Sequence, residues 1–161
     1  MNAIEMAMKM EQEAADFYAQ CAEKTENPIG KKMFLSIAED EKHHMVCAVH
    51  MNEKKEFAPL ETRPIEDMKR IFEENKQIML ERVSPTTDEL QALEMAMKME
   101  ESAIRFYRNA AAQTKDPAEK AFFECLVRDE EEHFSILQNT HSFLSDTGNW
   151  FMWEEHGIVE G

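Results

Sequence analysis

Residues that break regular structure are scarce in this chain, with four glycines and five prolines among 161 residues. That argues against a sheet-based fold, and the abundance of Ala, Met, Glu, Lys and Gln favours long helices. Cysteine is nearly missing too. Cys21, Cys47 and Cys125 show no Cys-x-x-Cys spacing, which excludes a thiolate-ligated zinc or iron site and leaves them as reduced core thiols. No apolar run approaches the roughly 18 residues that span a membrane, and the N-terminus lacks a signal-peptide pattern. The expectation is a soluble, cytoplasmic protein of one ordinary domain with no membrane partner. Positive charge is short: 18 Lys and Arg against 33 Asp and Glu give a net charge of −15. A polyanion such as nucleic acid is thereby excluded as a partner, whereas an acidic surface keeps a protein in solution and attracts cations.

What the chain does have is a carboxylate and an imidazole three residues apart, twice. Glu41-x-x-His44 and Glu130-x-x-His133 stand eighty-nine residues apart. On a helix, positions i and i+3 share a face. One such pair arises by chance in acidic helices. Two at matching places in a duplicated sequence ask for the rest of a ligand set, because a Glu-x-x-His from each of two helices plus one Glu from each of two others holds a pair of metals in carboxylate bundles.

Duplication is evident along the chain. EMAMKME recurs letter for letter at Glu5–Glu11 and Glu94–Glu100, Phe17-Tyr18 returns as Phe106-Tyr107, and 19 of the 42 positions from Ala3 to His44 are identical at this offset without a gap. The repeat units span about 2–51 and 91–140, each a pair of helices. The first helix starts at Asn2, with Glu5 as a reciprocal cap, and runs to about Thr25. Asn27-Pro28 caps and starts the second. The third begins near Thr87-Asp88. The fourth runs from Asp116-Pro117 to about Leu144, before Ser145-Asp146-Thr147-Gly148.

Residues 52–87 break the pattern, punctuated by Pro59, Pro64 and Pro85. Ile65, Met68, Ile71, Phe72, Asn75 and Met79 predict an amphipathic helix of about four turns inside this connection. A link this long can return the chain along the whole bundle and make helices two and three parallel. The expected fold is therefore all-α: a ferritin-like four-helix bundle over 1–145, with one long crossover between helices two and three, built from an internal two-helix repeat. The tail 146–161, with two Trp and a Phe, is expected to dock on the bundle or on a second subunit.

Each repeat carries one more glutamate inside an otherwise apolar stripe, Glu11 and its equivalent Glu100. Buried, charged and unpaired, such a group costs several kcal/mol, so it needs a cation. Glu11, Glu41, His44, Glu100, Glu130 and His133 make four carboxylates and two imidazoles, which leave two divalent ions electrically neutral if both histidines are neutral. Glu41 and Glu130 are assigned as bridges and Glu11 and Glu100 as terminal ligands. Oxygen-rich ligation with one imidazole per ion suits iron or manganese, and zinc competes for the same ligands. Asp40 and Asp129 are placed to accept the second N–H of the opposite histidines, His133 and His44. Tyr18 and Tyr107, two turns past Glu11 and Glu100, can donate to a ligand carboxylate or simply pack. Glu13, Glu39, Glu101, Glu131 and Glu132 are read as solvated, and His43, His50, His141 and His156 as ordinary.

Through Glu11-x-x-Ala-x-x-Phe-Tyr18, Glu41-x-x-His44, Glu100-x-x-Ala-x-x-Phe-Tyr107 and Glu130-x-x-His133, the chain resembles the rubrerythrin-like branch of the ferritin-like superfamily over about 1–145. The resemblance implies a non-haem centre of two iron ions that reacts with hydrogen peroxide or dioxygen in oxidative stress, often in a homodimer. It departs from the family in three respects. The rubredoxin domain of full-length rubrerythrins does not follow, so electrons would come from an external donor such as a rubredoxin. The family's extra third-helix glutamate is Ala103 here, which argues against an exchange of His for Glu at one iron. The six-ligand set is similar to that of bacterioferritin, but the haem-binding Met expected just after the bridging Glu is Lys42, and Glu131 in the repeat. Two functions stay open on the sequence: a peroxidase-type oxidoreductase, and a ferroxidase or iron-handling protein that turns over little.

Overall fold

The computed structural model describes residues 1–53, 57, 59–75 and 84–148. Among these every regular element is a helix: α1 (Ala3–Lys24), α2 (Pro28–Asn52), α3 (Pro64–Glu74), α4 (Thr87–Gln113) and α5 (Pro117–Thr147). The boundaries follow the local chemistry of the chain. The Asn2 side chain accepts from the Glu5 N–H at 2.8 Å while the Glu5 carboxylate accepts from the Asn2 N–H, a reciprocal cap that satisfies two orphan donors. Asn27 accepts from the N–H groups of Ile29 and Gly30, ahead of Pro28. Thr86 and Glu89 repeat the reciprocal cap at α4, and Asp116 accepts from the Ala118 N–H ahead of Pro117. α5 continues three residues beyond the expected stop at Leu144. Ser145, Asp146 and Thr147 tolerate helix, and the chain leaves it only where Gly148 adopts φ 72° and donates to the Leu144 carbonyl at 2.8 Å.

Cross-bundle contacts fix the directions. Tyr18 reaches Glu100 while Tyr107 reaches Glu11, so α1 and α4 run antiparallel. His44 meets Asp129 while His133 meets Asp40, so α2 and α5 are antiparallel as well. A three-residue link turns α1 back into α2, and α2 and α4 are therefore parallel. A 25-residue helix is about 37 Å long, and the crossover retraces that length. This is the ferritin-like arrangement.

α3 lies in the crossover and packs on α2 and α5, burying Pro64, Met68 and Phe72. It has three turns rather than four. Asn75 ends it, its amide donating to the Ile71 carbonyl while its oxygen accepts from Lys32. Met79 and the tail from 149 lie outside the described residues.

Two apolar clusters fill the two ends of the bundle. One gathers Tyr18, Met33, Phe34, Ile37, Phe72, Leu93 and Leu137, and the other Ile4, Ala48, Tyr107, Phe122, Phe123 and Leu126. The repeat reappears in three dimensions as two equivalent ring stacks, Tyr18 on Phe34 and Tyr107 on Phe123, with centroids 6.2 and 6.0 Å apart. Between these ends lies a buried polar layer.

Candidate metal centre

That layer draws one or two side chains from each long helix. At about 100° per residue, Glu41 and His44 lie some 60° apart on α2, and Glu130 and His133 likewise on α5. Glu11 on α1 and Glu100 on α4 point at the same axis. All six are at most 1 % exposed. His44 Nδ1 stands 3.3 Å from Glu11 Oε2, from Glu41 Oε1 and from Glu130 Oε1. His133 Nδ1 stands 3.3 Å from Glu41 Oε1, 3.4 Å from Glu130 Oε1 and 3.7 Å from Glu100 Oε1. The six thus form two interlocked groups, Glu11, Glu41, His44 and Glu130 beside Glu41, Glu100, Glu130 and His133. Within each, one ligand atom per residue lies within 4.8 Å of all the others. Glu41 and Glu130 belong to both.

Each imidazole is held from behind. His44 Nε2 is 2.8 Å from Asp129 Oδ2, and His133 Nε2 is 2.9 Å from Asp40 Oδ2. Each terminal glutamate is held by a phenol, Tyr18 donating to Glu100 at 2.5 Å and Tyr107 to Glu11 at 2.7 Å. With the imidazole protons assigned to Nε2, where a carboxylate accepts them, each Nδ1 turns a lone pair toward carboxylate oxygens. Only a cation among those atoms, a proton or a metal ion, makes that arrangement favourable.

Without metal, protons take the part of the cation. Burial, then the neighbouring Glu41 and Glu130, push Glu11 well above the ordinary carboxylate range. Burial and Glu130 push Glu100 up to about 8. Burial alone would lower both histidines, but the carboxylates around them outweigh it and hold His44 and His133 well above the usual imidazole value. Glu41 is also desolvated and faces Glu100, yet the two imidazoles beside it bring it below its usual value. Burial and the adjacent glutamates keep Tyr18 and Tyr107 protonated as donors.

A buried polar atom normally has a partner. Four here have none: Glu41 Oε1, Glu100 Oε2, Glu130 Oε1 and His133 Nδ1. Glu41 Oε1 and Glu130 Oε1 lie 3.3 and 3.4 Å from His133 Nδ1, and Glu100 belongs to the same group. Three hard carboxylate oxygens and a borderline imidazole nitrogen, with no thiolate among them, fit divalent iron or manganese. A cavity of about 120 Å³ reaches this centre between α1 and α4, lined by Met10, Ala14, Met99 and Ala103 together with Glu11 and Glu100.

Of the remaining acids, Glu13, Glu39, Glu101 and Glu131 are exposed. Glu132 departs from its expected place in solvent: it is half-buried and accepts from the Ile65 N–H at 3.2 Å, supplying the cap that Arg63 does not give α3. His43 and His50 are exposed, and His141 meets Glu94; His156 lies outside the described residues. Cys21 is buried, Cys47 and Cys125 half-buried, and all three are free thiols.

Two residues that sequence reasoning missed hold Asp129. The Thr62 hydroxyl donates to its Oδ2, and the Arg128 guanidinium reaches its Oδ1 at 2.9 and 3.2 Å. With His44, these contacts outweigh burial and keep Asp129 below the usual carboxylate range. The available sequence signal was the change from Glu39 in one repeat to Arg128 in the other. Thr62, in the unrepeated crossover, offered none.

Comparison with known proteins gives one result. The family model described as Rubrerythrin matches residues 2–141. No curated protein and no solved structure gives a significant match.

Proposed function

The chain belongs to the rubrerythrin family, and from that premise we propose that it is a di-iron carboxylate oxidoreductase that reduces hydrogen peroxide. The observation that carries the proposal is the pair of interlocked groups sharing Glu41 and Glu130, with unpartnered donor atoms turned to a common centre. Glu11 and His44 would hold one ion, Glu100 and His133 the other, and Glu41 and Glu130 both. Bound there, two iron ions would supply Lewis acidity and the two electrons that peroxide consumes, together with two protons from solvent, on becoming two waters.

The protein supplies the rest. Four carboxylates and two neutral imidazoles balance the charge of two dications. Asp40 and Asp129 keep the imidazole protons on Nε2 and leave Nδ1 free for a ligand. Tyr18 and Tyr107 fix the terminal carboxylates. Ala14 and Ala103 leave room on the α1–α4 side for a molecule of peroxide size, while the apolar clusters keep bulk water from both ends of the centre. The electron donor we propose is a redox protein such as a rubredoxin.

A second reading is an iron-handling or ferroxidase role, favoured by the net charge of −15, which draws cations to the surface. Stopped-flow oxidation of the anaerobically iron-loaded, reduced protein separates the two. Faster oxidation by peroxide than by dioxygen at equal concentration supports the peroxidase. The reverse order sinks it and leaves the ferroxidase.

A further inference from the structure

Asp40 and Asp129 are equivalent by the repeat, but their surroundings are not. Both oxygens of Asp129 are engaged: Oδ2 by His44 Nε2 at 2.8 Å and by the Thr62 hydroxyl, Oδ1 by two nitrogens of Arg128. Among the described residues, Asp40 accepts from His133 Nε2 alone, through Oδ2 at 2.9 Å. The described residues of the crossover bring it no donor. They bring Asp67 instead, whose carboxyl is pushed up by burial and then by its nearness to Asp40. Divergence between the repeats made the difference. Arg128 stands where the first repeat has Glu39, an exposed side chain paired with Lys42, and Thr62 lies in a segment that was never duplicated.

A carboxylate with one partner can turn about its terminal torsion, whereas one gripped on both oxygens cannot. The imidazole in front of it inherits that rigidity, and a ligand already fixed in its binding orientation loses less freedom when it takes a cation. We propose that the two halves of the centre are inequivalent: Thr62 and Arg128 are positioning residues that lock Asp129, and through it His44, so that the half formed by Glu11 and His44 takes up a divalent cation first. This rests on the six residues being metal ligands, as proposed above.

The test is crystallographic, on the whole chain. Metal-free protein is given one equivalent of Co²⁺ per chain without oxygen, and the anomalous scattering of cobalt gives the occupancy beside each histidine. Cobalt is expected to favour the His44 position by about 3–10-fold, part of the roughly 10–100-fold that loss of the partner carboxylate itself costs. In a Thr62→Val/Arg128→Gln variant the two occupancies should converge, while at excess Co²⁺ both positions still fill. Equal occupancies in the unaltered protein, or a preference for His133, overturn the proposal even if the variant does not fold. A preference that persists undiminished in the folded variant overturns it too. Cobalt at neither position overturns the ligand assignment beneath it as well.

Discussion

A carboxylate buried among apolar side chains needs a proton, a cation or several donors to remain there. Glu100 accepts from Tyr18 and has one oxygen with no partner; its twin Glu11 accepts from Tyr107. This need made both legible in the sequence, since a glutamate inside an apolar stripe is out of place once and informative when repeated. Asp40 and Asp129 were legible by the same duplication. Thr62 and Arg128 were not: a threonine between helices and an arginine on an exposed face look like ordinary surface until the fold brings them to Asp129. At this scale, Asp40→Asn or Asp129→Asn should leave far-ultraviolet circular dichroism unchanged and weaken metal affinity by about 10–100-fold in equilibrium titration; unchanged affinity in both would reduce them to packing. Ala103 lines the cavity between α1 and α4. Ala103→Leu should fill most of that space, so we expect it to slow oxidation of the reduced, metal-loaded protein by peroxide about 10-fold or more without altering metal content. An unchanged rate would move the route of access elsewhere.

Among the elements, the four long helices follow from caps and stripes that local chemistry dictates, and their starts fall where Asn2, Asn27, Thr86 and Asp116 put them. The crossover was harder. Its periodic pattern continued to Met79, yet α3 stops at Glu74, because Asn75 turns its side chain back on Ile71 and out to Lys32. Nothing in the pattern said that this segment grips the polar layer, with Thr62 on Asp129 and the Ile65 N–H on Glu132. Phe72 is fully buried in the cluster that also holds Phe34 and Leu137. Phe72→Ala should cost about 3–5 kcal/mol in denaturant unfolding of the metal-free protein. If α3 anchors the crossover as described, the same change should lower metal affinity as well; loss of stability with affinity intact would separate the two.

Over the whole molecule, acidity dominates, and in the absence of metal the buried layer adds to the strain. Glu11, Glu100, His44 and His133 are all held above their ordinary values, so the folded protein keeps protons that the unfolded chain releases. Their contribution is fully present below the unfolded values, near 4.5 for the glutamates, and is lost as pH rises through the folded ones, about 8 for Glu100. Glu41 and Asp129, held below their ordinary values, have the opposite sign and matter only in acid. The metal-free protein should therefore melt at lower temperature at pH about 9 than at pH about 6, by a few kcal/mol in stability, and bound metal should abolish the loss by displacing those protons. A melting temperature that rises over that interval in chelator would show that protons do not occupy the layer. Six side chains brought together by a duplicated pair of helices are proposed to hold two metal ions. The most direct test is elemental analysis after anaerobic iron loading and gel filtration, run beside Glu41→Ala and Glu130→Ala. Two ions per chain are expected in the unaltered protein and loss of both in either variant, whereas two ions retained without Glu41 or Glu130 would rule out this ligand set.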